Sequence, residues 1–128
     1  MTDALRPGNR VMFVGTEAWS IELYAATGTV LDGPHREWGG YGILLDPQHD
    51  PDQMVGAYER AVLDRINDGV KTLVVDGRAM VDLPGSKPLV YIKRRGWCPA
   101  TYERAGRMYA WLPGRTTPLQ LGSWGWQA

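Results

Sequence analysis

The chain has 128 residues, 44% of them hydrophobic, and a formal net charge of zero. This length is typical of one domain, residues 1–128, and it is long enough to bury an apolar core without disulfides or a structural metal. A single cysteine, Cys98, excludes an internal disulfide, a paired-cysteine zinc site and CxxC redox chemistry. No apolar run approaches the ~20 residues that cross a bilayer, and residues 1–20 lack a signal-peptide pattern. We expect a cytoplasmic protein with no membrane partner.

The charge is distributed unevenly along the sequence. Residues 1–77 contain six basic and twelve acidic side chains, a formal −6, whereas residues 78–128 contain eight basic and two acidic ones, a formal +6. A basic second half is typical of a surface that binds phosphate. Charge pairing explains the pattern equally well, either within one chain or in a homodimer formed through the complementary halves.

Three strands and one helix are predicted in the first half. Residues 10–15, 28–31 and 41–46 are rich in Val, Ile, Leu and aromatic side chains and are bounded by Gly and Pro, as strands are. Asp50 can then cap a helix that starts at Pro51, and apolar residues recur close to the 3.6-residue period as far as Ile66. The pattern predicts an amphipathic helix at about 51–68, ended by Gly69.

Strands predominate after the predicted helix. Residues 70–76 and 79–83 flank Asp76-Gly77, a dipeptide typical of a two-residue hairpin turn, and residues 89–93 form a further predicted strand. From about residue 112 the sequence is a Trp- and Gly-rich tail with no clear period.

The predicted strands resemble those of SH3-like small barrels, including the KOW type. The opening strands carry one part of the resemblance: the chain starts with Pro7-Gly8, the second strand contains Gly28-Thr29-Val30-Leu31, and the third strand ends at Asp46. The second part lies further along the chain, where Gly96 to Tyr102 is similar to the Gly-x-x-Pro-x-x-Tyr ending of SH3 domains. It implies an α+β fold: a mainly antiparallel small barrel or curled sheet, with the helix as an insertion and a short helical turn near the ending. The ALYDY-like strand of SH3 domains is absent, so no proline-peptide groove is implied.

An alternative fold is α/β, with a right-handed βαβ unit over residues 42–76. Asp46 and Asp76 would then end two parallel strands, the position where open α/β sheets hold ligands and divalent metals. This favours a metal-dependent enzyme, although turn chemistry explains both aspartates as well. No motif identifies catalytic residues, a metal site or a cofactor.

Residues 91–115 interleave cationic and aromatic side chains, a composition that suits stacking on bases and neutralising phosphates. An ordinary cationic edge strand with core tryptophans has the same composition. The candidate residues for binding nucleic acid or nucleotide phosphate are Lys93, Arg94, Arg95, Trp97, Tyr102, Arg104 and Arg107.

Three tryptophans, Trp111, Trp124 and Trp126, are candidate anchors for a protein partner, because Trp dominates interface energetics. The sequence therefore favours a non-catalytic binding module, an adaptor or modulator of another protein. Nucleic-acid binding through residues 91–115 is the alternative, and a metal-dependent enzyme using Asp46 and Asp76 is the second alternative. The high Gly, Trp and Arg content suits a high-GC bacterium or its phage.

Overall fold

The computed structural model of the chain describes residues 4–49, 55–75, 78–83, 87–92, 95–102, 107–111 and 116–123. The chain divides into two compact units, Met1–Gly69 (unit 1) and Val70–Ala128 (unit 2). Across the described ranges the regular structure consists of strands and two short 3-10 helices. That the chain is a single domain stays a prediction from its length.

Unit 1 is a five-stranded antiparallel sheet. Its strands are β1 (Arg10–Phe13), β2 (Thr27–Asp32), β3 (Tyr41–Leu45), β4 (Gly56–Tyr58) and β5 (Leu63–Arg65), in the spatial order β4-β3-β2-β1-β5. The 3-10 helices are Ile21–Leu23, between β1 and β2, and Arg60–Val62, immediately before β5. The three strands predicted before residue 50 are confirmed, with bounds that differ by at most two residues.

Side chains alternate between the two faces of the sheet along these strands, and those on one face form the core of unit 1. Val11 and Phe13 of β1 are buried on the same face of the sheet as Val30 of β2 and Ile43 of β3. The remaining members of this core are Leu5, Ala26, Tyr41, Leu45, Val62 and Leu63.

The predicted amphipathic helix at 51–68 is wrong. Residues 50–54, which include its predicted start, lie outside the described residues, and residues 55–68 contain β4, a 3-10 turn and β5. These short strands complete the ladders of β3 and β1, where Tyr41 pairs with Tyr58 and Phe13 with Leu63. The apolar spacing is compatible with both states, and backbone pairing with distant strands outweighs the weak helical propensity.

The alternative βαβ unit over 42–76 is also wrong. Strand β3 pairs antiparallel with β2 and β4, and the strand after residue 70 belongs to a different sheet. Neither the α+β nor the α/β prediction is correct, because both required the helix. What holds is the coarser expectation of a small, mainly antiparallel β fold compatible with a barrel-like curled sheet.

Unit 2 is a six-stranded antiparallel meander. Its strands are β6 (Lys71–Val75), β7 (Arg78–Asp82), β8 (Leu89–Ile92), β9 (Gly96–Tyr102), β10 (Arg107–Ala110) and β11 (Leu119–Ser123), and their spatial order follows the sequence. The predicted hairpin is confirmed, since Val75 pairs with Arg78 across two residues. The helical turn implied at Gly96–Tyr102 is wrong, because this segment is the continuous strand β9.

The core of unit 2 includes Cys98. It packs with Leu73, Met80 and Val90 and is 3% exposed. Burial raises the pKa of the Cys98 thiol, and the positive charge of Arg95 opposes this shift. The thiol is therefore held neutral and inaccessible in the folded unit.

We expect Cys98 to make the stability of unit 2 fall at alkaline pH. Its pKa is higher in the folded unit than in the unfolded chain, so the stabilisation is complete below the unfolded pKa and is lost as pH rises through the folded one. Urea midpoints between about pH 7 and 10 should fall more steeply for the natural chain than for Cys98→Ala. Iodoacetamide should alkylate the native thiol at least ~100-fold more slowly than the unfolded one. Equal slopes or rapid native alkylation would contradict this prediction.

Candidate functional site

The predicted phosphate-binding residues lie mostly outside the described side chains. Lys93, Arg94 and Arg104 lie outside the described residues. Tyr102 and Arg107 are placed on β9 and β10 by their backbones alone. Of the other two predicted residues, Arg95 is exposed at the turn between β8 and β9, and Trp97 is partly buried on β9.

Trp97 packs within its own sheet. It pairs in register with Tyr91 of β8, and the two rings meet edge to face with centroids 5.9 Å apart. Its Nε1 is buried and has no hydrogen-bond partner in the part of the chain that the structure describes. Trp97 thus contributes its ring to the packing between β8 and β9.

The predicted protein-binding tryptophans are only partly described. Trp124 and Trp126 lie outside the described residues. Trp111 follows β10, is 45% exposed, and donates a hydrogen bond from Nε1 to Thr101 Oγ1 at 2.8 Å. This bond fixes the indole while leaving nearly half of its surface accessible.

The predicted convergence of Asp46 and Asp76 stays a prediction, because the structure describes only Asp46 of the two. Asp76 lies outside the described residues, and Asp46 follows β3, is 1% exposed, and forms an ion pair with Arg10. Within the described ranges, no group of three or more His, Cys, Asp or Glu side chains has the arrangement of a metal site.

The Arg10–Asp46 pair lies on the face of the unit 1 sheet opposite Val11 and Phe13. Arg10 pairs in register with Thr29, and both Asp46 oxygens accept hydrogen bonds from the Arg10 guanidinium at 2.5 Å. Thr29 Oγ1 accepts a further one at 3.1 Å. Thr27 donates its hydroxyl to Asp46 at 2.6 Å.

Asp68 completes this buried network. It accepts hydrogen bonds from Arg10 Nε at 3.0 Å and from Nη2 at 2.8 Å, so all five guanidinium N–H groups have acceptors. Burial alone would lower the pKa of Arg10, but the hydrogen bonds and charges of Asp46 and Asp68 raise it above its ordinary value. The network joins β1, β2 and the end of β3, and it engages every N–H donor of the Arg10 guanidinium.

Unit 1 exposes large aromatic side chains that are not among the site residues predicted from the sequence. Trp19 is 58% exposed, Tyr24 57% and Trp38 48%, and Ile21 beside them in the chain is 48% exposed. All four lie in the segments that join β1 to β2 and β2 to β3. In the sequence, these residues can be recognised as large apolar residues that lie between predicted strands, among acidic and glycine residues.

The β2–β3 loop holds Trp38 in a defined position. Its indole stacks on His35 with centroids 5.5 Å apart, and His35 Nε2 lies 3.2 Å from Asp32 Oδ1. A Cβ at Gly40 would lie 1.7 Å from the indole, so the ring rests directly on that backbone. Hydrogen bonds between His35 and the Gly39–Gly40 backbone close the loop.

A cleft of about 440 Å³ lies between the segment after β1 and the 3-10 helix before β5. Val14 donates its backbone N–H to Val62 O at 2.9 Å, which ties the two segments together. The cleft, named here the Trp19 cleft, is lined by Val14, Gly15, Thr16, Glu17, Trp19, Glu59, Ala61 and Val62.

The lining of the Trp19 cleft combines three kinds of chemistry. Val62 is buried and provides an apolar surface, Trp19 provides an exposed ring, and Glu17 and Glu59 are exposed carboxylates. Among the described residues that line it, none is basic. An apolar surface with a ring and two carboxylates suits a ligand that carries both an apolar group and a positive charge.

Comparisons with known proteins do not assign the chain to a family. In the described residues no helix is long and apolar enough to cross a membrane. No protein-family model, no curated protein and no solved structure matches this chain.

Proposed function

We propose that the protein is a non-catalytic binding module whose unit 1 docks a segment of a partner protein in the Trp19 cleft. The observation that carries this proposal is the 58% exposure of Trp19 beside a cleft that combines apolar and acidic side chains. An exposed tryptophan next to a pocket is the usual anchor of a protein interface, because its large ring loses water on binding at little entropic cost.

The charge of the cleft favours a basic partner segment. Glu17 and Glu59 line it, and unit 1 contains five basic and eleven acidic side chains, a formal −6. Such a unit repels a polyanion and attracts a cationic segment. The ligand that fits is an extended peptide with a lysine or arginine close to an apolar side chain.

Strand order supports an SH3-like barrel as the scaffold of unit 1. The five strands form one antiparallel series in which β1 lies between β2 and β5, and a 3-10 helix precedes β5. The short helical turn that the resemblance implied near residue 96 has its counterpart at Arg60–Val62, next to the cleft. As part of the same proposal, the buried unpaired thiol of Cys98 suits a reducing cytoplasm.

A random dodecapeptide library displayed on phage tests the proposed function. We expect selection on the full chain to enrich peptides with a basic residue near an apolar one. Trp19→Ala should weaken the selected peptides at least ~10-fold, and Glu59→Lys should weaken them through charge repulsion. Trp38→Ala is the matched control, because it removes a half-exposed tryptophan of unit 1 that does not line the cleft. Absence of enrichment, or equal binding by Trp19→Ala, would refute docking in the cleft.

The charge of unit 2 favours a second candidate, nucleic-acid binding. Unit 2 contains nine basic and three acidic side chains, a formal +6, and Arg95 is exposed. Labelled oligonucleotides should then bind at ~50 mM salt and lose affinity steeply by ~200 mM, with Arg95→Glu weakening the complex. Salt-sensitive self-association without oligonucleotide binding would instead favour the homodimer of complementary units.

A further inference from the structure

A second cleft of unit 1, about 440 Å³ in volume, lies where the β1–β2 connection leads into β2. The Trp19 cleft includes the first residues of the same connection, so the two clefts are formed by its two ends. The second cleft is named here the Tyr24 cleft and is lined by Glu22, Leu23, Tyr24, Ala25, Ala26, Leu45 and His49.

The Tyr24 cleft has the same chemistry as the Trp19 cleft. Tyr24 is 57% exposed and provides an aromatic ring, whereas Leu45 is 3% exposed and provides an apolar surface. Glu22 is exposed and forms no ion pair with a described residue. A ring, an apolar surface and a carboxylate again suit a ligand that carries an apolar group and a positive charge.

His49 does not offset the negative charge of the Tyr24 cleft. Its Nε2 accepts the backbone N–H of Thr27 at 3.1 Å. A backbone N–H can only donate, so Nε2 carries no proton, and the ring is neutral in this arrangement. Among the described residues that line the cleft, Glu22 therefore carries the only charge, and that charge is negative.

Internal hydrogen bonds fix the connection between the two clefts. Ser20 is 1% exposed, and its backbone N–H donates to Glu17 O at 2.9 Å. Leu23 N donates to Ser20 O at 3.0 Å, and Ala25 N donates to Phe13 O at 2.8 Å. Because this backbone is held before a ligand arrives, little ordering is required on binding. The large apolar side chains that it exposes are Trp19, Ile21 and Tyr24.

We infer that one partner segment occupies both clefts and places an apolar group and a basic residue in each. This inference rests on the proposed function and extends it from one cleft to two. Ile21 is 48% exposed and lies between the clefts along the chain, where it adds an apolar contact for the same segment. The carboxylates of Glu17 and Glu22 attract cationic groups toward both clefts. A segment that fills one cleft fills the other at a high effective concentration, so the whole segment binds far more tightly than either half.

The tightest dodecapeptide selected on the full chain is the ligand for the test. Fully extended it spans about 40 Å, which exceeds the roughly 30 Å diameter of a small domain, so it is long enough for both clefts. Tyr24→Ala should weaken its binding at least ~10-fold. Each six-residue half of the peptide should bind at least ~100-fold more weakly than the whole.

Two controls separate the Tyr24 cleft from the rest of unit 1. Trp38→Ala removes a half-exposed ring that lines neither cleft and should change the dissociation constant less than about twofold. Glu22→Gln should weaken the dodecapeptide more than Glu37→Gln, because Glu37 is exposed in unit 1 but lines neither cleft. Equal effects of these two changes would contradict a cation in the Tyr24 cleft and overturn the inference.

The same measurements distinguish this inference from the proposed function. Weaker binding by Trp19→Ala with unchanged binding by Tyr24→Ala would confine the segment to the Trp19 cleft, so the inference would fail and the proposed function would stand. Unchanged binding by both variants would refute both. A six-residue half that binds as tightly as the whole peptide would also overturn occupation of two clefts. Self-association that Tyr24→Ala abolishes, with unchanged peptide affinity, would instead assign the Tyr24 cleft to a second copy of the chain.

Discussion

Replacement of Asp46 by alanine should destabilise unit 1 by about 3–5 kcal/mol, because the change leaves a buried guanidinium without its main partner. Arg10 is 6% exposed and Asp46 is 1% exposed, so water cannot replace the lost carboxylate without opening the sheet. In the same variant the Thr27 hydroxyl loses its 2.6 Å hydrogen bond to Asp46 and keeps only the longer contact of 3.2 Å with His49 Nε2. Urea denaturation, monitored by hydrogen exchange of the β1–β3 amides, measures this loss of unfolding free energy.

Two further variants show whether the charge, and not the lost side-chain volume, causes the effect. Asp68→Ala should cost less, because the Asp68 side chain is 26% exposed and Arg10 keeps both bonds to Asp46. The double variant Arg10→Met with Asp46→Leu should regain most of the stability lost in Asp46→Ala, since no unpaired buried charge remains. A double variant as unstable as Asp46→Ala would show that packing, not charge, determines the loss.

The strands of unit 1 were predictable where a short run of apolar residues lies between turn residues. Residues 41–45 form such a run, and the strand begins and ends close to the predicted bounds. Residues 55–66 are different, because their apolar spacing fits a helix as well as two short strands. Pairing of Tyr58 with Tyr41 and of Leu63 with Phe13 decides between the two states, and these partners lie 17 and 50 residues away in the chain.

The candidate sites were harder to predict from the sequence than the strands, because they depend on strand register and loop geometry. Arg10 and Asp46 are separated by 36 residues and meet because Arg10 pairs with Thr29 while Asp46 N bonds Thr27 O. A sequence with no known register shows only two polar residues at strand ends. Trp19 is exposed because it lies in the β1–β2 connection. The prediction from sequence selected the aromatic residues of the second half instead, because it rested on composition.

Phe13→Ala should destabilise unit 1 by about 3–5 kcal/mol, an effect similar in size to that of Asp46→Ala but caused by a cavity. Phe13 is 1% exposed in the core, and its ring meets the Tyr58 ring edge to face with centroids 4.7 Å apart. Met12→Ala is the control, because Met12 is adjacent in β1 and only partly buried on the opposite face. It should cost clearly less, and a loss of equal size would show that the effect is not specific to the core.

The Tyr58 phenol provides a second readout of the same cavity. Burial raises its pKa above the ordinary value, so in the natural chain its contribution to stability is complete below the unfolded pKa and is lost as pH rises through the folded one. Removal of the Phe13 ring hydrates Tyr58 and should return its pKa toward the ordinary value. The ultraviolet difference titration between each background and its Tyr58→Phe variant measures this pKa directly. If the cavity instead collapses around Tyr58, the phenol pKa should stay raised. The loss of stability should then lie near the lower end of the range given for Phe13→Ala, because a collapsed site keeps its contacts.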